Sequence, residues 1–426
     1  MYMKKVFLVI LLCGAGLAMA QTQMQTQTLH IEDCWQKARE NYPLIHQYGL
    51  LEEAARYNIS NLSKAWLPQV AVQAQFSYQS DVVTFPLQIP GVDLPTMDKD
   101  QYRATIDISQ ALWDGGQSRQ QKKVVEAGRE VEAQGLEVSL YALRNQVNQL
   151  FFGILLLDAQ MEQLAILEKD LQSSLSLVQA HLQHGTAMSS DLDLVKVALL
   201  QLEQQRTELR SSRGAYTAML STLIHEPVDA ATVLLRPSER LLQPQPVLRR
   251  PELQLLSLQQ QWLETQKKAL DSRYMPRLSL FLQGGYGRPG LNMLSPDFEF
   301  FYIGGLRLSW QLGALYTAKN DRNSLQNRQN RLELEAQTFD FNTRIKLQEA
   351  WGEVLKLREM LEQDSQIIAL REGLRKAAES KYAHGVYTLN DLLKDIHAES
   401  QARQAKQLHE IIHLMGMYQY KVLEGE

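Results

Sequence analysis

The chain has 426 residues, 45% of them hydrophobic and 22% charged, with a formal net charge of −4. This balance is globular and excludes a disordered polymer, and its mild acidity argues against a nucleic-acid partner. The length suffices for two or three ordinary domains.

Lys4 and Lys5, an apolar run over residues 6–12 and Ala18-Met19-Ala20 lay out a secretory leader cleaved after Ala20. Cys13-Gly14 raises a lipoprotein site as an alternative, but Leu12 stands where a small residue is expected. Loss of the leader takes 44 basic residues to 42 against 48 acidic ones, a net charge of −6. It also leaves Cys34 alone, so no intrachain disulfide and no cysteine-metal chemistry are expected. No later segment offers about 18 uninterrupted apolar residues, so no transmembrane helix is expected.

Residues 31–64 read as a helix carrying Ala38, Leu44, Leu50, Ala54 and Ile59, ended by Trp66-Leu67-Pro68. The period then becomes two: Val70, Val72, Ala74, Phe76 and Tyr78 alternate with Gln69, Ala71, Gln73, Gln75 and Ser77. Residues 80–100, with Pro86, Pro90, Gly91 and Pro95, read as a loop. A second strand sets Tyr102, Ala104, Ile106, Ile108 and Leu112 against Arg103, Thr105, Asp107 and Ser109, and Asp114-Gly115-Gly116 closes it.

A helix without proline follows over residues 117–183. Its apolar seam at Leu136, Leu140, Leu143, Val147, Leu150, Ile154, Leu157, Met161 and Leu164 alternates steps of four and three, as in a coiled coil. Gly185 breaks it, and a helix capped near Ser190 and Asp191 turns the chain back. A connector with Pro227, Pro237, Pro244 and Pro246 leads to Arg250-Pro251-Glu252-Leu253, after which the whole order recurs.

The recurrence has a spacing of 200 residues. His184-Gly185 returns as His384-Gly385 and Asp191-Leu192 as Asp391-Leu392. The stripe Val147, Phe151, Ile154, Leu157, Met161 returns as Leu347, Trp351, Val354, Leu357, Leu361. Two further strands alternate in the second copy: Leu278, Leu280, Leu282 and Tyr286 against Ser279, Phe281 and Gln283, then Tyr302, Leu306, Leu308 and Trp310 against Gly305, Arg307 and Gln311. The expected division is a leader over 1–20, a first repeat over 21–226, a connector over 227–250 and a second repeat over 251–426. Each long helix of about 67 residues spans about 100 Å, matched by two shorter helices end to end.

Strands of ten or eleven residues suit a bilayer, with Tyr78, Tyr102, Tyr286, Phe300, Phe301, Tyr302 and Trp310 near strand ends where an aromatic girdle lies. Four strands cannot close, and hydrocarbon tolerates no open edge, so several copies must supply one barrel. Alternation alone also fits a soluble half-buried sheet, and the heptads alone fit a periplasmic coiled-coil adaptor without a pore. An adaptor needs one hairpin, whereas this chain has two, each with its own strand pair.

The opening Ala38, Asn41, Pro43, Leu44, then Leu67-Pro68, Leu112-Trp113-Asp114-Gly115-Gly116, the two glycine turns each with aspartate six residues on, and Arg250-Pro251-Glu252-Leu253 together resemble the TolC family of outer-membrane efflux and secretion channels. The resemblance covers nearly all of the mature chain. It implies a mainly α fold with β, in which long antiparallel coiled-coil helices form a periplasmic α-barrel and four strands per protomer join a trimeric twelve-stranded barrel in outer-membrane lipid. It further implies a homotrimer that works with a periplasmic adaptor and an inner-membrane pump. No Walker-type loop is present, so the energy must come from the pump.

The resemblance places Asp391 at the constricting periplasmic aperture, with Lys394 where a second aspartate is usual and Tyr387 where a basic latch residue is usual. Ser190 and Asp191 match the first-repeat side, although helix capping also explains the aspartates. Gly185, Thr186, Gly385 and Val386 match the tips where adaptor hairpins dock, although any helical hairpin needs such glycines. Arg103, Asp107 and Arg307 face the lumen if the apolar alternates face lipid. His409-Glu410-Ile411-Ile412-His413 spells a zinc-protease motif, but its third ligand would have to be Glu424 or Glu426 or come from afar. No catalytic, cofactor or metal site is therefore expected.

Overall fold

The fold was taken from a computed structural model, which describes residues 28–83, 97–229, 231–239, 242–293 and 295–426. The leader and most of the loop over residues 80–100 lie outside these.

In chain order the elements are β1 (Thr28–Leu29), α1 (Ile31–Asn41), a 3₁₀ turn (Pro43–His46), α2 (Gln47–Lys64), β2 (Gln69–Tyr78), β3 (Asp100–Trp113), α3 (Gln117–Tyr141), α4 (Leu143–Gln183) and α5 (Ser189–Ile224). Then follow β4 (Val233–Leu234), α6 (Pro251–Arg273), β5 (Arg277–Arg288), β6 (Glu299–Ser309), a 3₁₀ turn (Leu312–Ala314), α7 (Leu315–Ala383) and α8 (Leu389–Glu424). The fold is mainly helical with a smaller sheet, and the duplicated order of elements is present. The expected single helix over 31–64 is two. Proline has no N–H and disfavours helix in the residue before it, so Pro43 ends α1 and Tyr42 is extended at φ −70°, ψ 129°.

The contacts divide the chain into two units, whose boundaries fall inside α4 and α7. The first comprises residues up to 38, 147–240 and 357–415. In it Leu164, Leu167, Leu171 and Val178 of α4, Val195, Ala198 and Leu202 of α5, Ala378 of α7 and Leu389, Leu392, Leu393 and Ile396 of α8 form one core. Both repeats contribute to that core, because neither hairpin has a second face to cover its own stripe. Polar locks join the helices: buried Glu399 of α8 accepts from Arg375 of α7 at 2.6 Å and from Arg403 at 2.8 Å. The connector contributes a short parallel pairing, Thr28 with Val233 and Leu29 with Leu234, that its proline content had hidden.

An apolar stretch of the helical residues Gln117–Gln183 is, by length and composition, apolar enough to cross a membrane, contrary to expectation. A third of that stretch is buried inside the chain, with Phe151 and Ile154 fully enclosed and Phe152 nearly so. The large side chains fill the first unit where α1 docks Trp35 Nε1 onto Asn148 Oδ1 at 2.8 Å.

The second unit comprises residues 39–146, 241–356 and 416–426. Its helices α2, α3 and α6 pack side by side. Glu137 of α3 holds α2 through Tyr48 at 2.5 Å, and Trp262 of α6 donates to the Val124 carbonyl at 3.1 Å. The sheet runs in the order β2-β3-β5-β6, antiparallel throughout. The β2–β3 hairpin of one repeat thus lies beside the β5–β6 hairpin of the other.

Candidate functional site: an amphipathic sheet and paired helical turns

Register fixes which side chains share a face of the sheet. Directly opposite residues in antiparallel strands point the same way. One face therefore collects Val70, Val72 and Phe76 of β2, Tyr102 and Ile106 of β3, Leu280, Leu282 and Tyr286 of β5, and Phe300, Tyr302, Leu306 and Leu308 of β6. All of these are exposed, from Tyr102 at 40% to Phe300 at 86%.

This band is framed by aromatics. At the loop end Phe76, Tyr102, Phe298, Tyr286 and Phe300 form a chain of ring contacts with centroids 4.5 to 5.9 Å apart. At the helix end stand three exposed tryptophans, Trp66, Trp113 and Trp310. An apolar stripe between two aromatic rows is the exterior pattern of a transmembrane barrel. The sequence had put Phe301 in the girdle as well. Its neighbours Phe300 and Tyr302 face outward, so period two sends Phe301 to the other face.

The opposite face is polar and carries the three residues expected in a lumen. Asp107 accepts from Thr105 Oγ1 at 3.1 Å and Gln283 Nε2 at 2.5 Å, and Thr105 is only 6% exposed. The guanidinium of Arg103 sits 5.8 Å from the ring centre of Phe301, and that of Arg307 sits 4.6 Å from Phe281. Phe281 stands here with Ser279 and Gln283 as the alternation predicts, whereas Phe301 is an addition that the alternation does not reveal. Each stands directly across from a glycine, Gly305 and Gly285 respectively, which only the register reveals.

Asp114 explains why β3 passes sharply into α3. Its carboxylate accepts from the amides of Gly116 at 2.9 Å and Ser118 at 2.7 Å, holding two orphan donors of the helix start. The second repeat has no such motif and uses the 3₁₀ turn at Leu312–Ala314 instead.

At the other candidate site, in the first unit, the two helical turns have the same geometry. Gly185 and Gly385 both have φ +72°. Thr186 donates its amide to the His181 carbonyl at 2.8 Å, and Val386 donates to Lys381 at 2.8 Å, closing both helix ends with a left-handed residue. The turns lie side by side, since the rings of His181 and Tyr382 meet edge-on at 5.9 Å. Thr186 and Val386 are exposed, Val386 at 71%.

Both turn aspartates cap the returning helix. Asp191 accepts the Met188 amide at 2.9 Å, so the cap is Asp191 acting on Met188, and Ser190 stands free of it on the first helical turn. Asp391 accepts from the Thr388 hydroxyl at 2.7 Å and the Thr388 amide at 3.2 Å, while its own amide donates to Thr388 Oγ1 at 3.2 Å, a reciprocal capping box. The Thr388 hydroxyl, its amide and the nearby Lys394 charge hold the Asp391 carboxyl below its ordinary range. Tyr387 is tied within the chain, its ring 4.6 Å from the Lys381 ammonium.

The zinc-type motif is dispersed by its partners. His409 Nδ1 bonds Asp364 at 2.6 Å, Glu410 pairs with Arg236 at 2.8 Å, and His413 is 5% exposed with its imidazole pushed down by burial. Among the described residues no group of His, Cys, Asp and Glu is placed to hold a metal.

A family model described as outer membrane efflux protein matches residues 34–224. The fold is shared with the Neisseria gonorrhoeae MtrE outer membrane channel, at 15% identity and TM-score 0.64 over 93% of this chain and 89% of that one. The Campylobacter jejuni CmeC outer membrane channel matches at 14% identity and TM-score 0.64, over 93% and 85%. The Vibrio cholerae outer membrane protein VceC matches at 13% identity and TM-score 0.64, over 93% and 96%. No curated protein matches the chain in sequence.

Proposed function

We propose that this chain, which over residues 34–224 belongs to the outer membrane efflux protein family, is the outer-membrane exit duct of a tripartite efflux pump or type I secretion system. The observation that carries this reading is the sheet. It has an exposed apolar band between two aromatic rows, a polar reverse face and, among the described residues, only one neighbour for each of β2 and β6. A periplasmic adaptor has no use for such a band.

Closure decides the assembly. Hydrocarbon does not tolerate unpaired backbone groups, and four strands are too few to close on themselves. Strand β2 runs from the helix end to the loop end and β6 runs back, so β6 of one copy meets β2 of the next in antiparallel sense, as every other pair does. Three copies give the twelve strands the family resemblance implies. Arg103, Asp107 and Arg307 then line the water-filled side.

The chain is a passive conduit: the partner pump supplies energy, and an adaptor docks at Gly185, Thr186, Gly385 and Val386. The neighbouring Asp391, Lys394, Tyr387, Ser190 and Asp191 form the periplasmic aperture of the closed duct. The test is direct. Purified in detergent, the protein should run as a trimer of leader-cleaved chains and give discrete conductance steps in planar bilayers. A water-soluble monomer that leaves bilayers silent would overturn the reading.

A further inference from the structure

The polar face of the sheet repeats one local device twice. Phe301 of β6 stands opposite Gly285 of β5, and a Cβ built at Gly285 would collide with the Phe301 ring. Phe281 of β5 stands opposite Gly305 of β6, where a Cβ would lie 3.4 Å from the Phe281 ring. Both rings are half-buried, unlike Phe300 beside them at 86% exposure. Each ring thus lies along the wall over a glycine. Each is approached by an arginine: Arg103 reaches Phe301 from β3 across the intervening β5, and Arg307 of β6 reaches Phe281 of the adjacent β5.

Two carboxylates share this face: Asp107, which accepts from Thr105 and Gln283, and Glu299 of β6, set level with Arg103 across Gly287 of β5. The sheet's ion pairs use Arg288, which binds Asp98 at 3.1 Å and Asp100 at 2.7 Å. Among the described residues neither Arg103 nor Arg307 forms an ion pair. A guanidinium lying on an aromatic face keeps its outer face and its N–H edge for solutes, and its planar fork matches carboxylates, sulfonates and phosphates. Arg103 pairs with Gly287 of β5 and Arg307 faces Ser279 of the same strand. The two levels are therefore eight residues apart, about 26 Å along the strand.

We propose that these two arginine-on-phenylalanine tiers are a selectivity element of the barrel wall that favours anionic solutes, planar aromatic anions above all. The inference rests on the duct reading and adds to it a solute class. In a trimer each tier repeats three times, so six stacked guanidiniums face the passage. The phenylalanines hold the guanidiniums flat and let a passing aromatic ring share the stack, whereas the glycines keep the passage open.

The probe is pyranine, a pyrene carrying three sulfonates, titrated against detergent-solubilised trimer and read by fluorescence anisotropy at low and high salt. Wild-type trimer should bind it. The R103Q/R307Q variant should bind about tenfold more weakly, and R103K/R307K should fall between, because charge survives while stacking and the planar fork are lost. A third variant, F281L/F301L, keeps both charges and should weaken pyranine more than it weakens chloride-over-potassium preference in bilayers. Trimer yield serves as the folding control for each variant. Equal pyranine affinity in wild-type and R103Q/R307Q trimers, or no binding by wild-type trimer, would overturn the inference while leaving a conducting duct intact. A chain that neither trimerises nor conducts would instead remove the duct reading, and this one with it.

Discussion

Asp391 caps its helix and, in the proposed duct, also rings the periplasmic aperture, and a single substitution separates the two roles. As a cap it needs only an acceptor oxygen for Thr388; as part of an aperture ring it needs its charge. Asp391→Asn keeps the acceptor and removes the charge, so it should leave thermal unfolding nearly unchanged while raising single-channel conductance of the closed duct. Thr388→Ala removes the hydroxyl half of the box and keeps the charge, so it should loosen the turn with little direct effect on the field at the entrance. Equal conductance in wild type and D391N would confine Asp391 to capping. The pH dependence follows from the depressed carboxyl. Its contribution to the turn is fully present above the ordinary aspartate value of 3.8 and is lost only as pH falls through the lower folded value. Conductance changes near neutral pH therefore do not arise from its titration. At this scale the sequence was informative about types and silent about partners. Asp191 and Asp391 could be found by their offset from Gly185 and Gly385, but that Asp191 caps Met188 rather than serving beside a Ser190 cap depends on where the helix begins. The histidines of the zinc-type motif likewise looked paired only until Asp364 and Glu239, distant in sequence, were seen to face them.

Among the elements, the helical turns and the strands were the most legible. Glycine in the left-handed region after a long apolar seam leaves few alternatives, and both turns have that geometry. No atom lies within 4 Å of a Cβ added at Gly185 or Gly385, so the cost of a side chain there is conformational alone. Gly185→Ala should destabilise the turn by roughly 1 kcal/mol, and Gly185→Asn by less, because asparagine tolerates positive φ. Hydrogen exchange at the Gly185 and Thr186 amides, normally tied to Leu182 and His181, would report the difference; equal protection in wild type and G185A would show that the backbone there is not held. Period-two alternation likewise marked the first three strands within a residue or two and β6 within three, since one face is apolar and the other polar. The failures have equally local causes. The helix over 31–64 was drawn through Pro43 because apolar spacing continues past it, yet the missing N–H decides. The pairing of Thr28–Leu29 with Val233–Leu234 was invisible because two residues hold no period, and its partner lies about 200 residues away. Phe301 was misassigned because runs of adjacent aromatics show no alternation until register is known.

The duplication was legible in the whole molecule; what it builds was less so. Each contact-defined unit takes segments from both repeats, which no reading of one repeat could have given, because stripes from different copies bury one another. In the proposed barrel, neighbouring copies meet edge to edge with an offset that one chain alone does not set. That offset is a property of closure, since a barrel of given strand number fixes its own tilt and stagger. It is measurable. Ala74 lies on the apolar face of the edge strand β2, and Phe300, Tyr302, Gly304 and Leu306 lie on the same face of the other edge strand β6. A cysteine at Ala74 combined in turn with a cysteine at each of these four positions should give a covalently linked ladder up to the trimer on oxidation for one pairing, or two adjacent ones, and none for the rest. A disulfide needs Cβ atoms about 4 Å apart, and successive same-face positions differ by nearly 7 Å along the strand. The native background is silent, because Cys34 is buried in the first unit with its thiol pushed up to about 12 by desolvation. Crosslinking at all four positions alike would mean edges that slide past each other, and crosslinking at none, in a chain that still runs as a trimer, would mean that the copies meet through their helices while the sheet stays open.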